Sequence, residues 1–429
     1  MMHKYLQELI GAYCLTEPGA GSDANSGKTR ATLSEDGKHY ILNGQKMWIT
    51  NGGFADTQVV FAKIDNDRIL SAFIVEHDWP GVVIGPDEHK MGIKGSSTTQ
   101  IYYNDVKVPV ENMIGARGEG FRIALSILHM GRMKLGANVI GAAKQAIADA
   151  VRYANERKQF NTTIANFGAI QHKLAQMAIR AFAHESAIYR VSCDVDAMLD
   201  DLKASGMDYG RAAIEAISHY AVEDAILKVY GSEMLDYIVD ENVQIHGGMG
   251  FSAEINADRG YRDSRINRIF EGTNEINRLL VVESATKRAM KGEYDLFSEA
   301  QAMCANLASV CDGAKDNESY FDEKMRYVRN LKKAVKLTYL CGNQRFGQEI
   351  HVGAGACEQP VEHDYGALRG RIAGSARAET RPNARRVGHP SRHARCVPMG
   401  CCQPRAKERQ RRALLEHACR RGRQDLRCR

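Results

Sequence analysis

Five short segments carry residues whose types and spacing could do chemistry. The first is Thr16-Glu17-Pro18-Gly19-Ala20-Gly21-Ser22-Asp23, preceded by Tyr13-Cys14-Leu15. Glycines at alternate positions let the backbone approach a ligand, and their amides with the Ser22 hydroxyl can donate to its oxygens; a plain turn reads equally well. No βαβ unit surrounds the loop, so it is not a dinucleotide fingerprint of the doubly wound type. The second is Asn43-Gly44-Gln45-Lys46-Met47-Trp48-Ile49-Thr50-Asn51-Gly52. Trp48 there is core filler or the wall of a planar cofactor, with the Thr50 hydroxyl available to bond a ring atom. The third, Arg157-Lys158-Gln159-Phe160, and the fourth, Gln244-Ile245-His246-Gly247-Gly248-Met249-Gly250-Phe251, also read as a basic helix end and a glycine C-cap. The fifth is Arg265-Ile266-Asn267-Arg268-Ile269-Phe270-Glu271-Gly272-Thr273-Asn274-Glu275-Ile276. Glu271, between Phe270 and Gly272, is a carboxylate placed either to take a proton or to favour a helix N-terminus.

The elements that must position these segments fall into two kinds. Residues 12 to 110 read as β-rich, with short runs Tyr40-Ile41-Leu42, Val59-Val60-Phe61-Ala62, Ile69 to Val75 and Gln100-Ile101-Tyr102-Tyr103. Turn signals separate them at Asp36-Gly37, Asn43-Gly44, Asn51-Gly52, Pro80-Gly81 and Lys94-Gly95, which predicts an antiparallel barrel or sandwich. After Gly120 the apolar residues recur at steps of three, four or seven, from Phe121 through Leu135, Val139 and Ala146 to Tyr153. Further helices are expected over about Phe167 to Ile188, Arg211 to Asp240, and Glu271 to Met290, and four amphipathic helices pack most simply as a bundle. Residues 291–350 keep helical spacing, with Tyr327, Leu331, Val335 and Tyr339 four apart. The expected organisation is therefore an α+β chain with a β domain over 1–112, a helical bundle over 113–290, a helical appendage over 291–350 and a basic tail over 351–429.

Charge sharpens that division. The tail holds 17 Arg and one Lys against 7 acidic groups, a surplus of 11, while the whole chain nets +6, so the body sums to −5. An acidic body gives nucleic acid no footprint, and the tail lacks aromatic interleaving. Its low apolar content predicts a disordered or out-of-frame segment. Apolar runs such as Val139 to Ala143 fall short of the roughly 18 residues of a membrane span, and no secretory leader precedes the β region, which suggests the cytoplasm. Six of eleven cysteines (Cys357, Cys396, Cys401, Cys402, Cys419, Cys428) lie in the tail. Cys14, Cys193, Cys304, Cys311 and Cys341 have no metal-ligand spacing and are expected as buried free thiols.

Together, in order and spacing, the five segments resemble the acyl-CoA dehydrogenase family over about residues 5 to 290. The resemblance implies FAD as cofactor, with Tyr13, Leu15, Thr16, Gly21, Ser22, Trp48, Ile49, Thr50, Thr273 and Glu275 toward the flavin. It implies that Arg157, Phe160, Gln244, Gly247 and Gly248 serve the adenine end of FAD across a homodimer or homotetramer. Glu271 is the implied base for α,β-dehydrogenation of an acyl-CoA, its amide and a ribityl hydroxyl steadying the thioester oxygen, with Ser22, Arg132 and Gly272 toward the substrate. Gly131 stands where a minority of the family keeps its base, and glycine cannot serve. Electrons are expected to pass to an electron-transferring flavoprotein. A catalytically silent fragment and an acyl-CoA oxidase are the alternatives. The family's usual N-terminal helical domain is expected to be missing ahead of Tyr13, and Gly168 replaces a Gln common in the family.

Overall fold

Strand-forming runs rich in Val, Ile, Phe and Tyr build the first half of the chain, and long helices build the second. A computed structural model describes residues 10–307 and 310–346. The basic tail, its cysteines and the residues ahead of Ile10 lie outside the described residues. The chain divides into two units, one ending at Gly131 and the other beginning at Arg132.

In the first unit eight strands form one mixed sheet: β1 (Gly11–Cys14), β2 (Arg30–Leu33), β3 (His39–Thr50), β4 (Thr57–Ile64), β5 (Ser71–Glu76), β6 (Val82–Asp87), β7 (Thr98–Pro109) and β8 (Met113–Ile114). The order is β6-β7-β3-β2-β4-β5-β8, with β1 alongside β4. Two corrections to the sequence reading follow. The path is open, ending at β6 and β8, so no closed barrel forms, and β4 pairs in parallel with both β1 and β2, so the sheet is not purely antiparallel. Asn43-Gly44 also makes no turn; it lies inside the twelve-residue β3, where the register against β7 shifts between Leu42 and Gly44. Gly44 is needed there, because a Cβ would sit 2.8 Å from the Thr29 backbone.

Side-chain alternation gives the sheet two apolar faces. Val60, Ala62 and Ile64 of β4 join Leu42, Phe73, Val75, Ile101 and Val108 in one core, while Phe61 turns to the other with Leu15, Leu70, Ala72 and Ala124. That second face explains why β4 reads as a continuous apolar run and not as an alternating one. Ala124 belongs to the first turns of α1 (Gly120–Glu156).

Within the second unit the remainder of α1 joins α2 (Gly168–Ala204), α3 (Tyr209–His219), α4 (Ala221–His246), α5 (Gly248–Phe251), α6 (Asn256–Ser264) and α7 (Asn274–Met290). The third expected helix is thus two, broken at Tyr220, and the fourth begins at Asn274, leaving Glu271 outside it. Leu135, Val139, Ala143, Ala146, Ala150 and Ala154 of α1 pack against Met177 and Ala181 of α2 and against Met234, Leu235, Ile238 and Val239 of α4. The opposite face of α4 (Ala225, Ile226, Val229) packs on Val281 and Val282 of α7, so α4 is apolar nearly all round. Backbones approach closely where His184 meets the Gly136 carbonyl at 2.8 Å, and a Cβ on Gly231 would stand 2.5 Å from the His184 ring. The appendage forms α8 (Phe297–Ala305) and α9 (Tyr320–Phe346). Of Cys14, Cys193, Cys304, Cys311 and Cys341 only Cys14 is buried, which corrects the expected burial of the other four. No described helix is long and apolar enough to cross a membrane.

Candidate active site

Glu271 sits in a backbone turn that its sequence alone would not hold. Its φ is 59°, and Gly272 follows at 80°. A residue with a Cβ resists this left-handed region at a cost of about 1–2 kcal/mol, so surrounding structure must over-determine it. That structure is a shell of buried polar side chains. Arg132, only 2 % exposed, donates through Nε to the Glu271 carbonyl at 3.1 Å. Asn277 Nδ2 spans the carbonyls of Glu271, Gly272 and Thr273 at 3.3, 2.8 and 3.0 Å. Lys228 Nζ donates to the Gly272 carbonyl and to Asn274 Oδ1, both at 2.7 Å. Asn274 Nδ2 in turn donates to Ser232 Oγ and Glu233 Oε1, each at 3.0 Å. Thr273 then caps α7 by accepting from the Ile276 amide at 3.3 Å. Gly272 cannot be replaced cheaply, since a Cβ would meet Asn277 Nδ2 at 3.2 Å in a strained φ.

The electrostatics of this turn suit a proton acceptor. Burial pushes the Glu271 carboxyl above its ordinary range, with Arg132 and Lys228 pulling part of the way back. The Glu271 amide makes no hydrogen bond among the described residues. Burial also pushes the Lys228 ammonium down to about 7. One turn earlier on α4, Asp224 is fully buried with neither carboxylate oxygen hydrogen-bonded among the described residues, and burial with Glu223 nearby pushes it up to about 8.

In the β unit the glycine loop and the Trp48 segment come together: the Met47 amide donates to the Thr16 carbonyl at 2.9 Å. Beneath them lies a buried ion pair. Lys46 Nζ donates to Glu17 Oε1 at 2.6 Å and to the Leu15 carbonyl at 3.2 Å. Glu17 also accepts from the amides of Lys28 (2.5 Å) and Thr29 (3.2 Å). Burial raises the Glu17 carboxyl, but the Lys46 charge and these donors outweigh it and hold the group below its ordinary range. Burial pushes the Lys46 ammonium down, and Glu17 offsets this only in part.

Above the pair the predicted ligand-facing groups are open. A Cβ on Gly19 or Gly21 would meet nothing within 4 Å, and the amides of Gly21 and Ser22 make no hydrogen bond among the described residues. The register of β3 shifts again between Lys46 and Ile49, and the bulge puts Trp48 at φ 60° and leaves the residue 54 % exposed. Thr16 and Tyr13 are half-buried, Thr50 and Ser22 exposed, and Leu15 and Ile49 buried in the cores. An exposed aromatic face, open glycines and hydroxyl donors fit a planar cofactor bearing phosphates.

The other predicted residues stand on the second unit's surface. Phe160 is 89 % exposed in the turn of the short hairpin formed by β9 (Lys158–Gln159) and β10 (Thr162–Thr163), and Arg157, just before β9, is exposed too. Gln244, Gly247 and Gly248 are exposed at the end of α4, where Gly247 turns the chain at φ 59°. Thr273 and Glu275 lie at the start of α7, and Gly272 follows the base candidate. Sequence reasoning missed Glu17, Lys46, Lys228, Asn274 and Asn277. One signal was legible: the apolar stripe running through Ala221 and Ala225 reaches Lys228 next, a charge where packing demands an apolar residue.

Comparison with known proteins agrees with both halves. Residues 12–106 match the family model described as acyl-CoA dehydrogenase, middle domain, and residues 118–286 match that of the C-terminal domain. A probable acyl-CoA dehydrogenase of Bacillus subtilis is 48 % identical over 343 residues, 80 % of this chain and 57 % of that protein. The short-chain specific acyl-CoA dehydrogenase of Megasphaera elsdenii is 40 % identical over 282 residues, 65 % of this chain and 68 % of its own length. The crystal structure of a Bacillus anthracis acyl-CoA dehydrogenase complexed with FAD superposes with a TM-score of 0.82 at 43 % identity, covering 86 % of this chain and 63 % of that one. The chain thus spans well under two thirds of the Bacillus subtilis relative, and on these matches it belongs to the acyl-CoA dehydrogenase family.

Proposed function

We propose that this chain binds FAD and dehydrogenates an acyl-CoA thioester to the trans-2-enoyl-CoA, with Glu271 removing the α proton. The observation that carries the reading is a carboxylate held in a costly left-handed turn by buried donors, its proton affinity raised by burial. A thioester makes its α C–H acidic, and a carboxylate raised toward working pH is a competent acceptor for that proton. The free Glu271 amide is a donor for the thioester oxygen as negative charge develops there. FAD, when bound, supplies the acceptor for the β hydrogen as hydride.

Tyr13, Leu15, Thr16, Gly21, Ser22, Trp48, Ile49 and Thr50 would hold the flavin, through open amides, hydroxyls and the exposed indole. Exposed Phe160, Arg157, Gln244, Gly247 and Gly248 suit a contribution to a neighbouring subunit's cofactor, in a homodimer or homotetramer. Arg132, expected near the substrate, has its guanidinium under the Glu271 carbonyl, where it holds the turn. Electron-transferring flavoprotein is the proposed acceptor and the cytoplasm the proposed location.

The test is anaerobic titration of the FAD-supplemented chain with acyl-CoAs of several lengths, following flavin bleaching. Bleaching should vanish in Glu271→Gln, and its rate should rise with pH as the carboxyl loses its proton. Undiminished bleaching in that variant would remove Glu271 from the role. Hydrogen peroxide formed stoichiometrically in air would reassign the chain as an oxidase.

A further inference from the structure

Lys228 is out of place by every packing rule that shapes α4. It is fully buried on a helix whose neighbouring positions are Ile226, Leu227 and Val229. A lysine buried at that depth persists only where its three donors are used. Two are spent on one turn: the Gly272 carbonyl and Asn274 Oδ1, each at 2.7 Å. Those acceptors flank Thr273, so the ammonium grips the chain at and just after the left-handed pair Glu271 and Gly272. Asn274 is pinned from its other end by Ser232 and Glu233, one turn farther along the same helix. The grip is thus referred to the rigid centre of the bundle.

We propose that Lys228 is the positioning residue of the base: its ammonium locks the Glu271–Gly272 turn to α4 and lends the carboxylate a compensating positive charge. This rests on Glu271 being the base. The division of labour with Arg132 and Asn277 follows from their acceptors. Arg132 secures the Glu271 carbonyl from α1, Asn277 gathers three carbonyls from α7, and Lys228 ties the Gly272 carbonyl to α4, where Asn274 is held as well. The charged groups facing Lys228 are Arg132 from α1, Glu233 from α4, Glu271 in the turn and Glu275 from α7, while Asp224 stands one turn before it on α4. Burial holds the ammonium near its neutralisation point at about 7, so the lock is strongest below that pH.

The test compares Lys228→Met, Lys228→Gln and Lys228→Arg with the unaltered chain and with Glu271→Gln. Amide hydrogen exchange needs no flavin. In Lys228→Met and Lys228→Gln the amides of Ile276 and Asn277, both bonded to Thr273, should exchange at least about tenfold faster, peptides from the α1–α2–α4 core should not change, and Lys228→Arg should restore protection. With FAD bound, both neutral variants should lose about ten- to a hundredfold in reduction rate with KM within about threefold. Their acid limb should move upward by roughly half a pH unit or more, because Glu271 loses a neighbouring cation. Lys228→Arg should keep the limb in place. Exchange accelerating throughout the bundle in both neutral variants, or failure of both to fold while Lys228→Arg is no better, would make Lys228 a merely structural residue. Unchanged exchange and an unmoved limb, with Glu271→Gln inactive, would overturn the positioning role alone. Bleaching retained in Glu271→Gln would instead sink the reading of the base.

Discussion

Removing the buried cation beneath the glycine loop should cost the β unit far more than an ordinary salt bridge. In Lys46→Met the side chain keeps its length and apolar stem, but Glu17 is left 7 % exposed with only the Lys28 and Thr29 amides as donors. Breaking a buried pair from one side costs about 3–5 kcal/mol, against ~0–1 kcal/mol for exposed pairs such as Arg122–Glu119. With a urea slope of about 1.5 kcal/mol/M for a unit of this size, the midpoint should fall by roughly 2–3 M. Fluorescence isolates this unit, because both tryptophans, Trp48 and Trp79, belong to it. Adding Glu17→Gln to Lys46→Met removes the orphaned charge while keeping an acceptor for the two amides. The double variant should therefore recover part of the loss, ending about 1–2 kcal/mol below the parent. Glu17 is held below its ordinary range, so its contribution is present above the unfolded carboxyl value and disappears as pH falls through the folded one. The single variant should show a shallower acid limb. A loss under about 1 kcal/mol, or a double variant no better than the single, would falsify the account of an obligatory pair.

Two further outcomes concern the bundle. Gly231→Ala should destabilise it by about 1–3 kcal/mol, because the new methyl meets His184, whereas Gly141→Ala, with nothing within 4 Å, should stabilise by about 0.5–1 kcal/mol; thermal melts by circular dichroism compare them. His184 is fully buried, and burial pushes it from 6.5 down to about 4, the Gly136 carbonyl offsetting only part. The unfolded chain takes up a proton that the folded bundle refuses, so stability should be complete above pH 6.5 and fall by about 3 kcal/mol as pH drops toward 4. His184→Leu should flatten that window, and an unchanged slope would show that other groups govern it.

Much of the fold was legible because periodicity reports burial directly. The stripe from Phe121 to Tyr153 and the run Val59 to Ala62 announced α1 and β4. Breaks were harder. Asn43-Gly44 has the composition of a turn, yet long-range pairing with β7 made it a bulge, and the kink at Tyr220 has no glycine or proline to mark it. Sheet closure was beyond local pattern, since alternation says which face a residue takes and not whether the first and last strands meet. At the site, the exposed motifs were visible as motifs, while the shell that holds Glu271 was not. Asn274 and Asn277 are unremarkable letters until the helices are packed, Arg132 stood out for a different role, and Lys228 showed only as a charge on an apolar stripe.

The left-handed backbone at Glu271 also carries a consequence for how such a protein drifts. Glycine or asparagine would occupy φ 59° at lower cost than glutamate, by about 1 kcal/mol. The turn is therefore a position where losing the chemistry gains stability. A lineage released from selection on turnover would be drawn toward substitution at this residue early, while the buried donors around it, useful to any occupant of the turn, would be the slower to change.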